Sequence, residues 1–280
     1  MSGAGFMLLG AVLIQWTAVI VTRVFPVIGP SATSAWRFLL GALVLLALTR
    51  PNLRHWTKRQ WLGAFALGVT VAVMNQCFYQ AISRIHLGSA VAIEYLGPFC
   101  IAAFGKRSPR HLAFVALAGV GVVALTRPGN GLNVAGVLFA AGAGLGWASY
   151  IFASRHVGST TSGFGGLAVS MSIAAILTLP LSLGSTAQLV DDPNLLLRLL
   201  IVAVVAIVLG FGAELQGLRR LKPSIAGVLL AGDPAVAFIL GWLLLHQAVR
   251  FWDILGLACV VLAGVGVTYD SSVSEGELAQ

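Results

Sequence analysis

The sequence predicts an all-α integral membrane protein with ten transmembrane helices, arranged as two inverted five-helix repeats. Three observations carry this reading. Hydrophobic residues make up 58% of the 280 and charged residues only 9%, where a soluble domain carries roughly 25% charged. Apolar runs of membrane-spanning length, about 20 residues, recur from one end of the chain to the other. Finally, Leu117-Ala118-Gly119-Val120-Gly121-Val122 returns unchanged as Leu262-Ala263-Gly264-Val265-Gly266-Val267. Each copy lies downstream of an apolar segment interrupted by an acid and a proline, Ile93-Glu94-Tyr95-Leu96-Gly97-Pro98 in one case and Ala231-Gly232-Asp233-Pro234 in the other. Duplicated bundles with broken, acid-bearing helices are a common construction of secondary transporters.

The ten runs fall near 5–25, 31–49, 61–83, 87–105, 112–126, 132–153, 163–183, 197–218, 224–245 and 251–269. They lack the polar face of period 3.6 that a soluble helix needs, and the strict alternation of a membrane β-barrel. The first run has no basic flank and no small-residue cleavage site, and a second follows at once, so it is a retained helix and not a signal peptide. The second carries Arg37. The third ends in a polar arc of Asn75, Gln76, Tyr79 and Gln80, and turns at Arg84-Ile85-His86 into the fourth, which carries Glu94 and Pro98. The fifth holds the first hexapeptide copy.

A turn-rich stretch at 127–131, Arg-Pro-Gly-Asn-Gly, then divides the chain. The sixth run contains Gly142-Ala143-Gly144-Leu145-Gly146. It has the look of a dinucleotide loop, but no strand precedes it, and small residues at spacing four let membrane helices approach closely. The seventh is followed by the polar link 184–194. The eighth carries Glu214 and turns at 219–222 into the ninth, with Asp233 and Pro234; the tenth holds the second hexapeptide copy. Five helices in each half force the second half to enter from the opposite side, giving repeats at 1–127 and 131–270. The polar, acidic stretch 271–280 is expected to be a disordered cytoplasmic tail.

The net charge of +8 is distributed in a way that excludes nucleic acid as its cause. With both termini in the cytoplasm, the inner connections hold Arg50, Arg54, Lys58, Arg59, Lys106, Arg107, Arg110, Arg155, Arg219, Arg220 and Lys222. The outer side holds Arg23, Arg84, Arg127, Arg198 and Arg250. Eleven against five is the positive-inside bias that orients helices on insertion. Cys77, Cys100 and Cys259 are an odd set of thiols within apolar runs, so they read as packing residues and not as a disulfide framework. The five histidines lack metal-ligand spacing, and no connection is long enough for a nucleotide-binding or catalytic domain. No cofactor or metal is expected.

Ionisable groups inside the membrane cost about 2.5–3.5 kcal/mol each at a helix centre, so each calls for a cause. Asn75 and Glu94 are equally far from the turn at 84–86 and share a depth, and Gln15 and Arg37 fall in a similar layer below the loop around Pro26–Pro30. One layer thus collects a cation, an anion and several amides. Glu214 and Asp233 occupy a matching zone in the second half. Pro98 and Pro234 lack the amide hydrogen, leaving carbonyls one turn upstream free; these survive in a membrane only against protein or water. A polar cavity between the halves is the expected result. Plainer roles exist for the same residues: Arg37 and Glu94 as a structural ion pair, Glu214 reaching toward Arg219 or Arg220, and Asp233 capping a half-helix.

These residues resemble the drug/metabolite transporter superfamily in its ten-helix EamA-type branch, and within it the threonine/homoserine exporters. The resemblance covers about residues 10–270 and rests on Ile14-Gln15, Arg23-Val24-Phe25-Pro26 with Gly29, and Ala35-Trp36-Arg37-Phe38 with Gly41. It continues through Met74-Asn75, Ala92-Ile93-Glu94-Tyr95 with Gly97-Pro98, and the Pro234 region. Two departures stand out. The branch commonly ends its ninth helix in Leu-Gly-Glu where this chain has Leu245-His246-Gln247, and the exporters tend to carry Glu where this chain has Asp233.

The resemblance implies a multi-pass protein of the cytoplasmic (inner) membrane that exports small hydrophilic amino acids by proton antiport, and not an enzyme. A zwitterion needs a cation for its carboxylate and an anion for its ammonium. Arg37 and Glu94 are assigned these roles, with Gln15, Asn75, Gln76 and Tyr95 as neutral contacts and Asp233 and Glu214 as proton carriers. The alternatives are the same fold exporting an aromatic amino acid, a nucleotide precursor or a cationic drug, and, remotely, a membrane enzyme acting on lipid-linked substrates.

Overall fold

A computed structural model describes residues 2–99, 109–125, 133–161, 164–218, 220–221 and 223–278. The junction expected at 127–131, Cys100, and the basic residues Lys106, Arg107, Arg219 and Lys222 lie outside the described residues. Every regular element described is helical: α1 (Gly3–Thr49), α2 (Lys58–Ile82), α3 (Leu87–Glu94), α4 (Pro109–Leu125), α5 (Val134–Thr160), α6 (Gly165–Thr178), α7 (Thr186–Asp191), α8 (Pro193–Val204), α9 (Phe211–Leu218), α10 (Pro223–Leu230), α11 (Asp233–Leu245) and α12 (Phe251–Leu278). Short 3-10 turns add Leu53–His55, Leu179–Leu181 and Leu183–Ser185.

The first two expected spans form one 47-residue element, α1. At 1.5 Å per residue such a helix would run about 70 Å, more than twice the roughly 30 Å of a hydrocarbon core. It does not run straight: Gly29, between Pro26 and Pro30, takes φ 77 and ψ 162, a conformation only glycine adopts without strain. The two limbs on either side correspond to the runs at 5–25 and 31–49. Helix α2 begins at a capping box, where Gln60 N donates to Thr57 Oγ1 at 3.3 Å and Thr57 N donates to Gln60 Oε1 at 2.8 Å. Helix α5 begins with Gly136 N donating to Asn133 Oδ1 at 3.0 Å.

The expected runs are met by an all-α, multi-pass arrangement whose helices are of unequal length, several of them broken. Among the described residues, four helices are long and apolar enough to cross a membrane alone, Gly3–Thr49, Lys58–Ile82, Val134–Ser154 and Val228–Leu245. A fifth is added if Gly165–Leu181 and Leu183–Asp191, bent by 69°, count as one span. The other apolar runs are cut short. The fourth run is interrupted at Tyr95 before resuming over 96–99, and the eighth is split by a π-helical turn, Val205–Gly210, before α9. Helix α12 runs on past the tenth apolar run to Leu278. Extending an existing helix adds a hydrogen bond per residue without a new nucleation step.

Packing is inside-out relative to a soluble protein in its outer layer. Leu62, Leu145 and Phe251 are about 70% exposed, as lipid contact requires. Small residues mark the helix crossings. Antiparallel α2 and α5 meet where Gly142 faces Cys77, Gly146 faces Met74 and Gly136 faces Arg84 and Ile85. The first limb of α1 meets α9 and the π turn in the same antiparallel manner, with Gly217 on Met7, Gly10 on Glu214 and Gly210 on Ile14. Gly121 of α4 and Gly256 of α12 face each other's carbonyl oxygens, and α3 packs on α11 through Gly88 and Phe238. A core cluster of Val21, Tyr79, Leu87, Val91, Tyr95, Val202 and Ala237 ties these elements together.

Candidate substrate site

The second limb of α1 brings Arg37 against α2. Arg37 Nη1 donates to Asn75 Oδ1 at 2.8 Å and to Tyr79 Oη at 3.0 Å, and its guanidinium carbon lies 5.7 Å from the centre of the Tyr79 ring. Asn75 and Tyr79 are four residues apart and so share one helix face. Asn75 is fixed in turn, its Nδ2 donating to Val71 O at 3.3 Å. Tyr79 is almost fully buried and held by Phe25 and Phe78, at ring separations of 5.6 and 6.3 Å. Arg37 Nε is buried without a hydrogen-bond partner.

An ion pair between Arg37 and Glu94 is not what the structure builds: both partners of Arg37 are neutral. Glu94, the last residue of α3, is 7% exposed and makes no side-chain hydrogen bond among the described residues. Its backbone lies against Gly144 of α5, and Gly97 meets the Gly144 carbonyl so closely that a β-carbon at Gly97 would clash.

Tyr95 ends up elsewhere than among the neutral contacts around Arg37. Its hydroxyl donates to Asp233 Oδ2 in a short hydrogen bond, joining the break after α3 to the start of α11. The ring is fixed by Trp147 edge-on at 4.4 Å and by Phe99 at 6.3 Å. Glu214 of α9 packs its side chain on Gly10 of α1.

The remaining predicted residues are not drawn to Arg37. Gln76 Nε2 donates to Ser31 O at 3.2 Å, and Gln80 Nε2 to Ser31 Oγ at 2.7 Å, so both amides hold the limb just past the Gly29 break. Gln15 is buried with Oε1 unpartnered. Pro98 and Pro234 do not themselves sit at the breaks. The helix is interrupted at Tyr95 and at Ala231–Gly232, and Pro234 falls in the first turn of α11, where its missing amide hydrogen costs nothing. Sequence reasoning placed Tyr79 in the polar arc but not in the site. Its spacing of four from Asn75 was the signal.

A guanidinium held by neutral groups, two buried carboxyls at Glu94 and Asp233 with the half-buried Glu214, and helices broken beside Tyr95 and Asp233 give the interior its polar groups. The sequence profile of the EamA-like transporter family matches residues 1–126 and again 134–269. The chain belongs to that family. It is a multi-pass membrane transporter and not an enzyme. It is 32% identical over 258 residues to the threonine/homoserine exporter RhtA of Salmonella typhimurium, covering 91% of this chain and 87% of that one. The RhtA of Escherichia coli K12 is 30% identical over the same shares. An uncharacterized transporter of Bacillus subtilis, YwfM, is 27% identical over 83% of this chain and 82% of its own. A solved crystal structure superimposes over 97% of this chain and 99% of its own with a TM-score of 0.61 at 19% identity, a likeness of fold alone.

Proposed function

We propose that this transporter exports small hydrophilic amino acids of the threonine/homoserine kind across the inner membrane, by proton antiport. The observation that carries the substrate class is the separation of the two charges. Among the described residues Arg37 meets only neutral partners and Glu94 makes no side-chain hydrogen bond, so a cation and an anion are both left for a ligand. An unpaired charge in low dielectric is costly, and a zwitterion supplies the missing partner to each. Carboxylate goes to Arg37 and ammonium to Glu94, with Gln15, Asn75, Gln76 and Tyr95 as neutral groups of the wider site, of which Asn75 is the one that touches Arg37. Asp233 carries the proton and Glu214 assists. The exporters at 30–32% identity support the substrate class.

Alternating access is assigned to two inverted halves, 1–127 and 131–270, with both termini in the cytoplasm. The crossings support this. Gly10 and Gly146 stand at the same spacing as Pro98 and Pro234, as do Met74 and Gly210, and Gly10 lies on Gly210 as Gly146 lies on Met74. Two helix pairs thus share one kind of crossing, as a pseudo-two-fold axis between the halves would produce. Tyr95 and Asp233 bridge helices on either side of it, where rocking of one half against the other would make and break their contact. The deciding experiment is counterflow of labelled amino acids in proteoliposomes, with and without a pH gradient. Uptake of threonine or homoserine stimulated by the gradient is expected, and its absence across a panel of neutral amino acids refutes the reading.

A further inference from the structure

We infer that Ser34 and the free edge of Arg37 together form the carboxylate dock, and that Asn75 and Tyr79 are positioning residues for that dock and not substrate contacts. The inference rests on the assignment of Arg37 to the substrate carboxylate and refines which atoms do the work. A guanidinium presents two donor edges, and only one of them is occupied. Nη1 is spent on Asn75 Oδ1 and Tyr79 Oη, which locks the plane of the group. Nε is buried without a partner, and Nη2 enters none of the hydrogen bonds of Arg37. The Nε–Nη2 edge has the parallel fork geometry that grips a carboxylate through both oxygens.

Ser34 lies three residues before Arg37 in an unbroken stretch of α1, so both side chains project from one face, with β-carbons about 5–6 Å apart. It is 1% exposed, and its Oγ also lacks a partner. This is unusual in the molecule. Several buried hydroxyls satisfy themselves by donating to a carbonyl three or four residues back, Thr17 to Ile14 O, Thr33 to Gly29 O, Ser170 to Gly166 O and Thr178 to Ala174 O, whereas among the described residues Ser34 Oγ is the one fully buried hydroxyl oxygen without a partner. Ser34 leaves its hydrogen free one helical turn from Arg37, whose Nε is equally unsatisfied. Two buried donors on one helix face, each without an acceptor, are costly unless something completes them. A carboxylate taking two bonds from the Arg37 edge and one from Ser34 Oγ satisfies all three.

The test is ligand-dependent thermal stability of the full-length protein in detergent, with L-threonine and L-threoninamide as probes. The amide keeps the ammonium and side chain but loses the anionic acceptor. Wild type should be stabilised by threonine and much less by threoninamide. Ser34→Ala should need about tenfold more threonine for the same rise in Tm, the loss expected for one hydrogen bond to a charged group. Ser34→Cys, nearly isosteric but a weak donor, should behave as Ser34→Ala, whereas Ser34→Thr should stay near wild type. Wild-type discrimination left unchanged in Ser34→Ala overturns the role of Ser34 while the Arg37 assignment stands. A Ser34→Cys variant indistinguishable from wild type overturns it equally. A wild type that responds alike to both probes, or to neither, overturns the Arg37 assignment and the dock with it.

Discussion

Replacing Tyr79 by Phe removes one oxygen and leaves everything around it in place. The ring keeps its packing on Phe25 and Phe78 and its cation–π contact with Arg37. What is lost is the 3.0 Å bond from Nη1. A hydrogen bond to a charged group contributes about 1.5–3 kcal/mol, and about 1.4 kcal/mol is tenfold in affinity. Because Asn75 Oδ1 still holds Nη1 at 2.8 Å, the effect should sit at the low end, about a tenfold rise in half-saturation for threonine counterflow with the thermal midpoint nearly unchanged. Asn75→Ala should do the same. The double variant should lose more than the sum, since the two acceptors share one donor group and the guanidinium is then free to swing. Additive effects, or a Tyr79→Phe variant within twofold of wild type, would refute the idea that these two residues orient Arg37.

Three further outcomes follow from the same geometry. Asp233→Asn keeps a hydrogen-bond acceptor for the Tyr95 hydroxyl but cannot exchange a proton, so transport driven by a pH gradient should vanish while substrate-for-substrate exchange persists; full gradient-driven export would make Asp233 a structural group. Gly97→Ala should lower thermal stability by about 1–3 kcal/mol, because its β-carbon would enter the Gly144 carbonyl, and an unshifted melting curve would show that the crossing yields easily. Cysteines introduced at Thr57 and Thr186 should react with an impermeant maleimide from opposite faces of the membrane. Thr186 is exposed, whereas Ser185 is buried under the Trp36 indole, which donates to its Oγ at 3.0 Å. Labelling of both sites from one face would exclude the inverted arrangement.

The sequence by itself determined the solvent. Runs of apolar residues with so few charges have no stable place in water, and backbone polar groups in lipid must be satisfied within helices, so class and composition are bound together. It also determined which residues are costly, because Arg37, Glu94, Glu214 and Asp233 are ionisable wherever the chain puts them. Partnership was decided only by the tertiary structure. Which of two available acids or amides faces a guanidinium depends on rotation about helix axes that no local pattern encodes. That rotation gave Arg37 to Asn75 and Tyr79, sent Tyr95 to Asp233, and left Glu94 alone. The π turn at Val205–Gly210 is a further case. One additional residue per turn re-aims everything after it, Glu214 included, and it ends where Gly210 crosses Ile14 closely, a contact between residues distant in sequence. The breaks show the same division. Proline announces that a helix is interrupted nearby, but the residue at which the chain departs, Tyr95 in one half and Ala231–Gly232 in the other, is set by what the neighbouring helices leave room for.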